Sequence, residues 1–454
     1  MKVILKFKGN NLTERTLKRC KPTKTLALSY KFFFLFLLVI SVSKIEAIPS
    51  FARQTGMSCT ACHTSFPELT SFGRSFKLNG YTLTTMPTIE AKGDSGKVVK
   101  LNLLKSLPVS AMVQSSFTHI AKDVDGTQNN SVTLPQQLSV FLAGQVVPHI
   151  GTFIQITYDG QSFGMDNTDI RFSEQANIGS KSLVYGLTLN NNPTVQDLWN
   201  STPAWGFPFA ASDAGPGPAK STLIENLGGQ VAGLGAYNLF NNLLYTELTF
   251  YRSAQQGAPN PADNSSAMVI KGVSPYWRLA LQHDWSKDFF ELGTFGISSK
   301  QYFNGISGNT DEFTDLGFDF QYQRTLTFGY FSLHSSFIHE IEKRNVSETT
   351  SGEKLNFNSF KMDGNLYFKN GIGATLGYFN AWGTQDPDVV ESLTNKPNSN
   401  GIIAQLGYMP LYNTRFTIQY TMFNKFDGSS SNYDGSGRSA RNNNTLYLLA
   451  WINF

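Results

Sequence analysis

From Pro108 to Phe454 apolar and polar residues alternate with a period of two. Leu316, Phe318, Phe320 and Tyr322 interleave with Asp315, Gly317, Asp319 and Gln321. Phe416, Ile418, Tyr420 and Met422 interleave with Arg415, Thr417, Gln419 and Thr421, and Ile154, Ile156 and Tyr158 with Gln155, Thr157 and Asp159. A period of two predicts strands with one apolar and one polar face. About sixteen such segments follow one another, at 108–120, 133–147, 151–160, 166–174, 182–190, 229–239, 243–252, 273–284, 288–299, 313–323, 327–339, 357–369, 372–382, 400–410, 413–425 and 443–454.

The connections decide which face points outward. A soluble sandwich distributes its loops at both ends, whereas a transmembrane barrel has short turns at one end and long loops at the other. Tight links at Phe240–Asn242, Trp285–Lys287, Asn370–Gly371 and Leu411–Tyr412 alternate with long polar ones at 191–228, 253–272, 340–356, 383–399 and 426–442. The last segment, Thr445–Phe454, resembles the terminal strand of bacterial outer-membrane proteins, which typically ends in Phe. The expectation is an all-β fold, a transmembrane antiparallel β-barrel of about sixteen strands with its apolar face to lipid and a polar lumen. The loop around 190–209 is long, aromatic and Pro-rich, and can either fold into the pore or cap its outer mouth.

Composition sharpens this picture. Hydrophobic residues make up 41% of the 454 and charged residues only 15%, against about 25% charged in ordinary soluble chains. The formal charge of +4 is an effect of the N-terminus. Residues 1–47 hold ten of the 37 basic and two of the 33 acidic residues, so the remainder carries 27 against 31. A basic region, the apolar run Phe32–Ser43 and Ala47 read as a secretory signal peptide over 1–47, with cleavage after Ala47. The basic charge is thus an export label and implies no nucleic-acid partner. An uncleaved anchor is the competing reading, although the run is short for a span.

Between the signal and the barrel, residues 48–107 contain Cys59-Thr60-Ala61-Cys62-His63. CxxCH is a c-type haem attachment signal. Two thiols about one helical turn apart match the two vinyl groups, and the following histidine reaches the iron from the same side, so His63 is expected as the proximal ligand. A redox CxxC pair lacks its βαβ context, and a zinc site lacks further ligands. With Cys20 in the signal, Cys59 and Cys62 are the cysteines left to the exported chain. Met86 and His119 are the candidates for the distal ligand. His334 and His339, five apart on one strand, cannot share a metal. His149 and His283 read as turn and strand-end residues. Asp159, Asp166, Asp169, Asp315 and Asp319 lie on or near the inferred lumen face, where they either attract cations or are simply solvated.

The stretch Phe51–Tyr81 (FARQTGMSCTACHTSFPELTSFGRSFKLNGY) resembles the haem segment of fused cytochrome–porin proteins, which carry one c-type haem ahead of an outer-membrane barrel and occur notably in bacteria that oxidise ferrous iron. The resemblance implies Cys59, Cys62 and His63 as the haem-binding residues and matches no iron-binding motif. It also implies electron transfer, with Fe(II) or another small reductant as donor and a periplasmic c-type cytochrome as acceptor. Ferrous iron oxidation is then the expected chemistry. The rival is a porin-like solute channel in which the haem segment is a structural plug or sensor. A haem oxidase or peroxidase would require an open distal position.

Overall fold

A computed structural model describes residues 49–83, 86, 88–92, 100–124, 126–254, 269–302, 307–346 and 350–454. The expected signal peptide and Cys20 lie outside the described residues. The chain begins with short elements: α1 (Ser50–Thr55), α2 (Cys59–Cys62), β1 (His63–Ser65), β2 (Glu68–Leu69), α3 (Ser71–Leu78), β3 (Thr88–Lys92) and β4 (Lys100–Leu104).

Among the described residues, sixteen long antiparallel strands then close into a barrel. They are β5 (Val109–Ile120), β6 (Ser131–Val147), β7 (Ile150–Tyr158), β8 (Phe163–Ile178), β9 (Lys181–Asn190), β10 (Val231–Phe240), β11 (Leu244–Ser253), β13 (Ser274–Trp285), β14 (Asp288–Tyr302), β15 (Thr310–Thr325), β16 (Gly329–Lys343), β17 (Lys354–Phe368), β18 (Ile372–Gly383), β19 (Ser399–Leu411), β20 (Thr414–Lys425) and β21 (Thr445–Asn453). The two-residue β12 (Val269–Ile270) pairs with β14. Closure comes from β21 against β5, with Leu448 opposite Phe117. Closure leaves no unpaired edge, so backbone groups are satisfied without water, the condition for crossing a bilayer with strands.

The faces divide as the alternation predicts. On β15, Leu316 and Phe318 are 39% and 49% exposed, whereas Asp315 and Asp319 are 1% and 2% exposed. Apolar side chains therefore point outward and polar ones inward, the inverse of a soluble protein and the arrangement of bacterial outer-membrane barrels. Several strands run beyond their expected ends. The extensions of β14, β15 and β16 carry Lys300, Glu312 and Lys343, joined by ion pairs of 2.8 and 3.2 Å on the outside. Charges on that face mark where the strands leave the lipid and the sequence loses its apolar–polar contrast.

Short turns gather at the end where β5 starts and β21 stops. Asn241, Asn242 and Leu243 link β10 to β11, and the first two have φ of 53° and 52°, the left-handed pair at the centre of a tight turn whose twist matches the strands. By the usual orientation of such barrels this end faces the periplasm.

The lumen departs from the expectation of a wide wet pore. The segment from α1 to Tyr81 and the 191–228 loop both fold into it. Trp199, Leu198 and Val195 of that loop are buried, and Trp199 Nε1 donates to Gln282 Oε1 of β13 at 3.0 Å. The loop thus fills the barrel rather than capping it.

Candidate functional site

The CxxCH segment is held by a few local devices. Cys59–Cys62 forms one turn of helix, and His63 leaves it in extended conformation. Thr70 caps α3 by accepting from Gly73 N at 3.1 Å, while its own hydroxyl donates to Ala61 O at 2.6 Å and its amide to Cys62 O at 2.9 Å. A Cβ at Gly73 would collide with the Cys62 carbonyl, so the glycine of FGR lets α3 lie directly on the cysteine turn. His63 Nδ1 donates to Pro67 O at 3.2 Å. A carbonyl can only accept, so this bond places the proton on Nδ1 and leaves Nε2 with a free lone pair.

Cys59, Cys62 and His63 open together onto one cavity of about 370 Å³ inside the barrel. Its walls come from α1 and α3, from Met112 and Gln114 of β5, from Phe141 and Phe153, and from Trp205 and Phe209 of the inserted loop. It reaches the short-turn rim at Tyr412 and Asn453. Burial holds His63 neutral, pushed down to about 4. Burial pushes both thiols up, Cys62 to about 11 with help from neighbouring Cys59.

One side of the cavity continues as an aromatic seam. His63 lies 5.2 Å from Phe66 and Phe66 5.2 Å from Trp451. Phe66 and Phe209 pack in one cluster with Trp451. From Phe209 the rings run to Phe207 at 5.8 Å, which packs with Phe379; Phe379, Phe423, Phe426 and Tyr433 follow at 5.4, 5.2 and 5.0 Å. Tyr433 belongs to the long 426–444 connection at the opposite end of the barrel from the short turns.

The other side is charged. Arg171 contacts Asp169 at 2.7 Å and donates to Lys77 O and Gln196 O. Tyr81 OH donates to Asp169 at 2.7 Å, and Lys77 Nζ donates to Val195 O and Asp197 O at 2.7 and 2.6 Å. Arg278 faces Asp319, Asp197 and Glu291 at 2.5, 3.4 and 3.4 Å, and lies 4.6 Å over Trp199. Arg74 donates to Gln323 Oε1 at 2.6 Å and stacks 3.5 Å over Phe289. Glu68 accepts from Ser332 at 2.7 Å and Tyr367 at 3.1 Å. The FGR and NGY residues thus dock the segment onto the barrel wall.

The structure brings Cys59, Cys62 and His63 together and places both distal candidates elsewhere. Met86 is buried with Phe76 and Tyr81 and does not line the cavity. His119 lies on the outward face of β5, odd in register against inward Met112, Gln114 and Thr118, and pairs with Asn130 at 2.9 Å. Neither therefore faces Cys59 and His63. Sequence reasoning did not single out Met112, which the inward parity of β5 places on the cavity wall. His334 points inward to Asp363 at 3.0 Å and His339 outward to Asn358 at 2.8 Å, as their spacing requires. His149 occupies a turn with φ of 70° beside Glu174, and His283 meets Trp285 edge-to-face. Asp169, Asp315 and Asp319 are buried in networks rather than solvated, Asp166 lines the cavity, and Asp159 lies exposed in a turn, accepting from the Gln161 and Ser162 amides. Among the described residues no group of three His, Cys, Asp or Glu side chains is arranged to hold a metal ion.

No protein-family model matches the sequence, and no curated protein does. Similar solved structures are porins and outer-membrane channels. OmpF of Salmonella typhi, solved in complex with daunomycin, is 13% identical, with a TM-score of 0.48 over 81% of this chain and 100% of that one. The anion-selective porin of Comamonas acidovorans is 12% identical, with a TM-score of 0.48 over 76% and 98%. The outer-membrane channel DcaP of Acinetobacter baumannii is 10% identical, with a TM-score of 0.45 over 76% and 96%.

Proposed function

We propose that this outer-membrane barrel moves electrons through one covalently attached haem c. The observation that carries the reading is the shared cavity of Cys59, Cys62 and His63, enclosed by barrel strands and walled largely by apolar side chains. Two thiols and an imidazole whose Nδ1 proton is already committed to a carbonyl are the donor set such a group needs, and the volume falls in the range of cofactor pockets. Haem bound there supplies one-electron redox chemistry. Cys59 and Cys62 tether the group, Pro67 orients the His63 ring, and Phe141, Phe153 and Trp205 keep water from it. The aromatic seam from Tyr433 to His63 gives a path of neighbouring rings between the long-loop end and the cavity. Fe(II) or another small one-electron reductant is the donor in this reading and a periplasmic c-type cytochrome the acceptor. Oxidation at the outer end leaves sparingly soluble ferric products outside the cell.

The barrel taken alone supports a second reading, a porin-like solute channel with the cysteine segment as plug or sensor. What supports electron transfer over a channel is the 191–228 loop inside the barrel, with Trp199 buried beneath Arg278. The test has two arms. Wild-type protein should retain haem on a denaturing gel and the Cys59→Ala/Cys62→Ala variant should not; absence of covalent haem from both overturns the reading. Planar-bilayer recording should find the holoprotein closed, and large steady currents would favour the channel. Mixing with Fe(II) at neutral pH should reduce the haem, and a haem that stays oxidised removes iron as donor.

A further inference from the structure

Within the haem reading, the chain must also determine what lies opposite His63, and this decides whether the site relays electrons or binds small molecules. The groups lining the cavity limit the choice. His63 is the one histidine among the lining residues, so no second imidazole faces it. Lys77 lines the cavity, but its ammonium is committed to the Val195 and Asp197 carbonyls at 2.7 and 2.6 Å. Two thioethers remain, Met57 and Met112.

These two differ in what holds them. Met57 is 37% exposed and stands two residues before Cys59, on the same short tether as the attachment cysteines. Reaching across the plane of a group anchored at Cys59 and Cys62 would require that tether to fold back on itself. Met112 is 2% exposed, projects inward from a barrel strand 49 residues beyond His63 in sequence, and packs with Trp451, Phe141 and Phe209. Its sulfur receives Gln114 Nε2 at 3.8 Å, a bond that sets the thioether's orientation. Gln114 itself lines the cavity two residues along the same face. A soft ligand supplied by a rigid strand and oriented by a neighbouring side chain matches how proteins position metal ligands.

We propose that Met112 is the distal iron ligand of the haem held at Cys59, Cys62 and His63, and that Gln114 is its positioning residue. The barrel wall, rather than the haem segment, then completes the coordination sphere. The proposal rests on the haem reading and closes the distal position, which argues against oxidase or peroxidase chemistry at this site. It also makes the site more oxidising than a bis-histidine centre, since methionine ligation raises the potential.

The test compares purified holoproteins. Wild-type ferric protein should display the red charge-transfer band of methionine-to-iron ligation and should not bind carbon monoxide when reduced. Met112→Leu, a nearly volume-conserving change, should lose the band, bind carbon monoxide and titrate at a lower potential. Met57→Leu and Met86→Leu should keep all three wild-type properties. Gln114→Leu should retain the ligand with a shifted potential. Retention of the band in Met112→Leu, or its loss in Met57→Leu, overturns the assignment, as does a wild-type spectrum without the band. Complete absence of covalent haem instead defeats the haem reading itself. Heat-modifiable mobility on gels verifies that each variant has folded.

Discussion

The two sides of the lumen are built on opposite principles. Toward β8, β13 and β15 the wall presents Arg171, Asp169, Arg278 and Asp319, and Tyr81, Lys77, Gln196 and Ser201 of the inserted segments meet it through charge-assisted hydrogen bonds. Toward β5, β6 and β21 it presents Met112, Phe141 and Trp451, and the segments meet it through rings and a cavity. Buried charge demands a specific partner at a specific place, so the first side fixes the position of the cysteine segment. Apolar contact is tolerant of shape and excludes water, so the second side can hold a large flat group. Anchorage and chemistry are thereby separated across the barrel.

Breaking the charged side should have the largest effect on stability. Arg278→Met removes the cation that Asp319, Asp197 and Glu291 share and leaves buried carboxylates uncompensated. A loss of about 3–5 kcal/mol is expected for breaking such a pair, measurable by urea unfolding in lipid vesicles, together with new conductance as the 191–228 loop loosens. A smaller loss with a still-closed barrel would mean that the aromatic side holds the inserts. Gly73→Ala tests the other side, because its Cβ would meet the Cys62 carbonyl backbone. About 1–3 kcal/mol of overpacking and reduced haem retention are expected, with the closed state intact.

The smallest effect belongs to the outer end of the aromatic seam. Partial burial pushes Asp427 up to about 6, beside Phe426. A carboxyl raised in the fold favours its protonated form there, so its contribution is present in acid and is lost as pH rises from about 4 through 6. Wild type should therefore lose melting temperature relative to Asp427→Asn across that window, and parallel melting curves would refute it. Because Asp427 is partly exposed, solvent screening keeps the difference small.

What the linear sequence determined is what depends on local chemistry. Alternation in β15 or β20 reports two solvents, lipid and interior, and hence the strands, their faces and the barrel. Cys59, Cys62 and His63 form a site within one helical turn, so their spacing is legible without a fold. What surrounds them is set by contacts between residues far apart in sequence. Tyr81 finds Asp169, Lys77 finds Asp197, and Phe66 finds Trp451 only when the barrel closes around the segment. Met86 and His119 carry ligand chemistry in the sequence, but sequence does not say where they face. Packing put the first behind an aromatic wall and strand parity turned the second outward. Met112 carries no motif of its own. Only barrel closure brings β5 alongside the cysteine segment, because the pairing that places it there joins the first long strand to the last.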